Sequence, residues 1–88
     1  MILEKSFQFS LRILKLFRHL RDNKVKRELC SQLLRSGTSI GANIEAAIGG
    51  SSRKDFTHKL EIAYREARET KYWIRLFKRR GFFRREIS

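Results

Sequence analysis

Three features of the sequence predict an all-α fold. The 88 residues contain no proline and only five glycines, which suits long helices better than a turn-rich β fold. Apolar residues recur at spacings of three and four, the period of a helix with one buried face. Two short polar or glycine-rich breaks divide the chain into three such segments. We therefore predict that residues 1–88 form one helical-bundle domain, with helices at about 3–21, 25–48 and 53–80.

The first segment is apolar over a wide arc. Phe9, Ile13 and Leu16 belong to one stripe, and Phe7 and Leu14 belong to an adjacent one. A helix that packs against a single neighbour needs a narrower stripe. Two packing partners are therefore expected for the first helix.

The second segment carries small residues where a helix would be expected. The stretch from Ser36 to Gly41 is a poor helix former, because each glycine costs about 1 kcal/mol relative to alanine. Gly37 and Gly41 are four residues apart and share one helix face, which leaves a groove for another backbone. Close helix packing explains this composition, with a break or a ligand loop as the alternative. The Walker spacing of a phosphate loop is absent.

Capping residues indicate where the helices begin and end. Asn23 is expected to cap the second helix. Ser52 and Asp55 form a capping box before the third helix, and Gly81 is placed as its C′ residue. The seven residues after Gly81 look like the start of a fourth helix.

The third segment also has apolar residues on two faces, which favours self-association, since large exposed apolar patches are uncommon on monomers. The predicted core stripe of this helix is Phe56, Leu60, Ala63, Ala67, Thr70, Ile74 and Phe77, and the second strip is Ile62, Trp73 and Leu76.

Several segments carry a resemblance to a known family. They are Gln32–Ala46, with its Arg-Ser-x-x-Ser-Ile-x-Ala-Asn-Ile signature, then Ser52–Phe56, Lys59–Ala63 and Glu66–Trp73. These segments resemble the four-helix-bundle family first known from proteins encoded in bacterial 23S rRNA intervening sequences. The resemblance implies an antiparallel four-helix bundle that assembles as a homopentamer.

The same family includes the accessory proteins of diversity-generating retroelements, to which this chain is similar in its basic character. The resemblance to them implies binding of RNA or DNA, with a reverse transcriptase as a candidate partner. The chain departs from the family pattern in two places. It only begins the usual fourth helix, and it has Ala46 where a Glu often stands at or beside this position.

Positive charge dominates the surface chemistry. Twenty-one Lys and Arg against nine Asp and Glu give a net charge of +12, which favours polyanionic partners. The charge is concentrated late in the chain, where one helix face is predicted to bind phosphates without reading base sequence. The predicted nucleic-acid-binding residues on this face are Arg68, Lys71, Arg75, Lys78 and Arg79. A solvated helix face is the alternative interpretation.

Neither catalysis nor a cofactor is indicated. His19 and His58 lack metal-ligand spacing, and Cys30 has no recognisable His partner, so no catalytic, cofactor or metal residues are assigned. A single cysteine and the lack of a signal-peptide pattern suggest a cytoplasmic protein, and the apolar runs are too short to cross a membrane.

Three hypotheses for function follow. The first is a non-enzymatic, homo-oligomeric accessory protein that binds nucleic acid. The second is a protein-interaction scaffold without a nucleic-acid role, and the third is an amphipathic protein at a membrane surface. Strong salt dependence of binding would separate the first from the second.

Overall fold

The computed structural model describes residues 2–50 and 52–82. Within these residues the chain forms three antiparallel helices, and the predicted all-α helical bundle is confirmed. The helices are α1 (Ile2–Asp22), α2 (Arg27–Ile48) and α3 (Arg53–Arg79), close to the predicted boundaries. The predicted start of a fourth helix lies mostly outside the described residues.

The central helix of the described structure is α2. It packs against both α1 and α3, whereas no Cα atom of α1 lies within 8 Å of a Cα atom of α3 in the described residues. Helices at diagonal corners of a four-helix bundle are separated in this way. The three helices therefore have the arrangement of three corners of such a bundle, with α1 and α3 on the diagonal.

The contact between α1 and α2 depends on the two glycines of α2. A Cβ atom built on Gly37 would lie 2.8 Å from two side-chain atoms of Ile13. A Cβ atom on Gly41 would lie 2.9 Å from the Ser10 hydroxyl and 3.3 Å from the backbone oxygen of Ser6. The interpretation of close helix packing at these glycines is confirmed, and Ser36–Gly41 is continuous helix rather than a ligand loop.

The contact between α2 and α3 includes a buried hydroxyl pair. Thr70 Oγ1 donates to Ser36 Oγ at 3.0 Å, and both residues are almost completely buried. The small side chains let the helices approach, and the hydrogen bond offsets the cost of burying two hydroxyl groups. The Asn43 side-chain amide donates to Ser39 O of its own helix at 2.9 Å, so this hydrogen bond does not link two helices.

The best-packed core lies where α1 ends, α2 begins and α3 ends. Leu20, Leu33 and Phe77 are fully buried there, one from each helix, and the same cluster includes Ile13, Val25 and Cys30. These side chains join all three helices at this end of the bundle.

The opposite end is more open. Phe56 and Leu60 were predicted to belong to the core stripe of α3, but they are 42% and 37% exposed. The prediction is wrong for both residues, since among the described helices α3 packs only against α2 and this leaves both side chains exposed. On α1, Phe7, Leu11 and Leu14 are also exposed.

A Schellman motif ends α3. The Phe82 N–H donates to Phe77 O at 3.0 Å, and the Gly81 N–H donates to Lys78 O at 3.1 Å. Gly81 has a φ of 76°, which confirms its predicted place at C′. The rings of Phe82 and Phe77 lie 5.8 Å apart between centroids, so the motif also extends the core.

The same motif ends α1, but with a lysine at the left-handed position. The Val25 N–H donates to Leu20 O and the Lys24 N–H donates to Arg21 O, both at 3.0 Å, and Lys24 has a φ of 64°. The turn places Asn23 before this position, where its amide donates to His19 O at 2.8 Å. The prediction that Asn23 caps α2 is therefore wrong.

The beginnings of α2 and α3 differ. Lys26 is the N-cap of α2 and makes no side-chain capping bond. By contrast, the Ser52 hydroxyl accepts the Asp55 N–H at 3.0 Å at the start of α3, as the predicted cap requires.

Replacing Gly37 by Ala is expected to destabilise the protein by about 1–2 kcal/mol. The added methyl collides with Ile13, and this overpacking outweighs the gain in helix propensity. Urea unfolding followed by circular dichroism measures the change. Gly49→Ala is the matched control, since its Cβ would meet nothing closer than 3.5 Å. Equal stability of the two variants would contradict the close contact.

Replacing Lys24 by Gly is expected to stabilise the protein by about 1 kcal/mol, because glycine adopts a φ of 64° without steric cost. Lys24→Ala removes the same charge but keeps the Cβ atom, so it should give no such gain. Comparing the urea midpoints of the two variants isolates the backbone effect from the charge effect.

Candidate nucleic-acid interface

The predicted basic residues lie together on the solvent side of α3. Their spacing of three and four returns each one to the same helix face, over a rise of about 16 Å from Arg68 to Arg79. The exposed residues of this basic face are Arg68, Lys71, Arg75, Lys78 and Arg79.

Part of the basic face forms an open groove of about 700 Å³. Lys78 and Arg79 do not line it, and they extend the face toward the C-terminal end of α3. The groove, which we call the tyrosine–arginine groove, is lined by Tyr64, Ala67, Arg68, Lys71, Tyr72 and Arg75. None of these lining residues is acidic.

The acidic residues in this part of α3 are held on another side of the helix. Arg35 of α2 pairs with Glu66 at 3.3 Å and forms a second ion pair with Glu69. The Trp73 indole N–H also donates to Glu69, at 3.0 Å. Both carboxylates are therefore directed toward α2, where they share the single cation Arg35, and neither of them lines the groove.

The three aromatic residues of this region have different environments. Trp73 is partly buried against the core, as predicted, and its ring centroid lies 6.1 Å from that of Phe77. Tyr64 and Tyr72 are 64% and 55% exposed. The Arg68 guanidinium lies 5.9 Å from the centre of the Tyr64 ring, within range of a cation–π contact. Tyr72 contacts Trp73 edge to face at 5.0 Å.

The basic face has a boundary toward the start of α3. Glu61 is exposed and lines a neighbouring depression together with Tyr64 and Arg65. A negative charge thus stands about one helical turn before the groove. Exposed cations also occur earlier on α3, at Arg53, Lys54 and Arg65, so Glu61 bounds the basic face but not the positive charge of the helix.

The start of α3 is a weaker phosphate site than its glycines suggest. The Ser52 hydroxyl already accepts the Asp55 N–H, and the Asp55 carboxylate lies against Gly50. A carboxylate in this position interacts favourably with the helix dipole, and it repels an incoming phosphate. The capping role assigned from the sequence is sufficient.

The residues considered for catalysis are either buried, held by a local contact or exposed to solvent. Cys30 is fully buried, and its Sγ–H donates to Val25 O at 3.6 Å. Burial raises the pKa of the Cys30 thiol, although the nearby Arg21 guanidinium offsets part of the rise. A buried thiol with a raised pKa is a poor nucleophile. His19, on α1, contacts the side chain of Asn23, whereas His58, on α3, is exposed.

Two other surface properties bear on the site. A second basic strip on α1 is exposed and consists of Arg12, Lys15 and Arg18.

Among the described residues, none of the helices is both long enough and apolar enough to span a membrane. In the same residues, no group of three or more His, Cys, Asp or Glu side chains could hold a metal ion.

One element of the site was missed by sequence reasoning. Arg35 lies within the motif that resembles the family. Nothing in that motif indicates that its side chain contacts two glutamates that lie 31 and 34 residues later in the sequence. The spacing of Glu66 and Glu69 by three residues was the available signal, because both carboxylates share one side of a helix.

Comparisons with known proteins identify the family. The family model of the 23S rRNA-intervening sequence protein matches residues 1–88. A similar solved structure is that of a protein with unknown function from the S23 ribosomal protein family of Bacteroides thetaiotaomicron VPI-5482. It is 44% identical, with a TM-score of 0.92 over 99% of this chain and 81% of that chain. No curated protein matches. The chain belongs to the 23S rRNA-intervening sequence protein family.

Proposed function

We propose that the protein is a non-enzymatic accessory factor that binds nucleic acid by contacting phosphates through the basic face of α3. The observation that carries this proposal is the separation of charge around the helix. The cations of the basic face are exposed to solvent, whereas Glu66 and Glu69 are paired with Arg35 on the side of α2.

This arrangement suits a polyanion better than a simple solvated coat. A solvated helix face commonly mixes both signs of charge, which pair with each other at spacings of three and four. Here such pairs are absent from the residues that line the tyrosine–arginine groove. Exposed cations on consecutive turns release counterions when they meet a phosphate backbone, and this favours binding.

We expect the protein to recognise the backbone of the nucleic acid and its negative charge. The basic face offers guanidinium and ammonium groups but no Asn or Gln side chain among the residues that line the groove. Phosphate contacts position a protein on nucleic acid without reading its sequence. The name of the family, which refers to 23S rRNA intervening sequences, is a weaker support for an RNA partner.

Neutralising Arg68, Lys71 and Arg75 to Gln is expected to lower the affinity for a short RNA or DNA by about tenfold or more at low salt. The slope of log affinity against log salt should become shallower by about 2, since each lost phosphate contact removes about 0.7–0.9. Fluorescence anisotropy with a labelled oligonucleotide at several salt concentrations measures both quantities.

The matched control is the triple Gln variant of Arg12, Lys15 and Arg18 on α1. It removes three positive charges from the same net +12, but from a different helix. We expect a smaller loss of affinity for this variant. Equal losses would mean that net charge alone drives binding, and the local site on α3 would then be wrong.

A second candidate function, a scaffold that associates through apolar surfaces, is favoured by one observation. Phe7, Leu11 and Leu14 of α1 are 54%, 44% and 49% exposed, and they lie within one arc of the helix. Covering them in a homo-oligomer would remove apolar area from water. This function is compatible with nucleic-acid binding, because the apolar patch and the basic face are on different helices.

We expect Leu14→Glu to reduce the mass measured by size-exclusion chromatography with light scattering at high salt. A buried glutamate in an apolar interface is costly, whereas on an exposed monomer surface it is tolerated. Unfolding of the variant in urea should remain cooperative, which separates loss of assembly from loss of folding. A wild-type protein that runs as a monomer would contradict self-association.

A further inference from the structure

The two exposed tyrosines of α3 are not explained by phosphate binding or by packing. Tyr64 and Tyr72 are 64% and 55% exposed, so each leaves much of its ring in water. The exposed phenylalanines Phe7 and Phe56 belong to apolar flanks of the bundle. The tyrosines instead lie among cations, with Arg68, Lys71 and Arg75 lining the same groove.

From this placement we infer that the tyrosine–arginine groove selects single-stranded nucleic acid, with Tyr64 and Tyr72 stacking on unpaired bases while the cations contact the adjacent phosphates. The inference rests on the proposed function and adds the class of substrate to it.

The geometry suits a single strand. Tyr64 and Tyr72 are eight residues apart, which is about 12 Å along the helix, and Arg68 lies midway between them. An extended strand of a few nucleotides spans such a distance, so that two of its bases can stack while phosphates between them meet Arg68 and Lys71. Alternating aromatic and cationic groups are the composition of stacking platforms for single strands.

A duplex would use the same groove less well. Its bases are already stacked on each other and paired, and its outer surface presents phosphates and sugars. The tyrosine rings could then contact only the backbone of the duplex. The cations would still bind a duplex, whereas the aromatic contribution would be lost.

Contacts with neighbouring side chains hold both exposed tyrosines in defined positions. The Arg68 guanidinium is 5.9 Å from the centre of the Tyr64 ring, and Tyr72 contacts Trp73, which is itself fixed by a hydrogen bond to Glu69. Side chains held by neighbours lose less conformational freedom on binding than free ones do. Both tyrosines are therefore partly preorganised for stacking.

The test uses the double variant Tyr64→Leu/Tyr72→Leu, with Tyr64→Phe/Tyr72→Phe as the matched control. Leu removes the aromatic rings without changing any charge, and Phe keeps the rings. Anisotropy is measured with a labelled oligothymidylate of about 12 nucleotides and with a duplex of the same length. Circular dichroism and urea unfolding verify that both variants fold.

We expect the Leu variant to lose about tenfold or more in affinity for the single strand and less than about twofold for the duplex, with an unchanged salt slope. The Phe variant should retain single-strand binding. Suppose that the wild type binds both probes. If the Leu variant then binds both with wild-type affinity, or loses affinity for both by the same factor, the inference is wrong while the proposed function stands. If the wild type binds neither probe, the proposed function itself is wrong.

Discussion

The close approach of α1 to α2 is the constraint on which the remaining structure depends. At Gly41 the backbone of Ser6 lies where a side chain would stand, and at Gly37 the side chain of Ile13 fills the same space. On its other side, α2 meets α3 through the small residues Ser36 and Thr70. Because small residues line both contacts, α2 lies tightly between two neighbours, and these neighbours have no close backbone contact with each other.

This separation explains the unusual distribution of apolar surface. Side chains near the ends of α1 and α3, such as Leu20 and Phe77, are long enough to meet in a common core beside Val25. At the opposite end, Phe56 and Leu60 of α3 are exposed. The bundle is therefore well packed at one end and has apolar surface available for association at the other.

Much of the fold could be predicted from the sequence, because it depends on local signals. Periodicity gave the three helices, and Gly37, Gly41, Ser52 and Gly81 were each correctly assigned from their residue type and spacing. Local signals were insufficient at Asn23, where a Schellman motif around Lys24 competed with capping. They were also insufficient for Phe56 and Leu60, since periodicity shows which face is apolar but not whether another helix covers it.

For the candidate site, the helical period was sufficient to place the five cations on one exposed face. The missing part was tertiary, because the effect of Glu66 and Glu69 on that face depends on where Arg35 lies. Arg35 is on α2, the same helix whose small residues set the packing distances. The helical period already places Glu66 and Glu69 away from the cations of the basic face, and Arg35 pairs with both glutamates on that side. The packing of α2 against α3 thus stabilises the bundle and also brings Arg35 to the two glutamates, while the outer side of α3 after Glu61 presents cations and tyrosines.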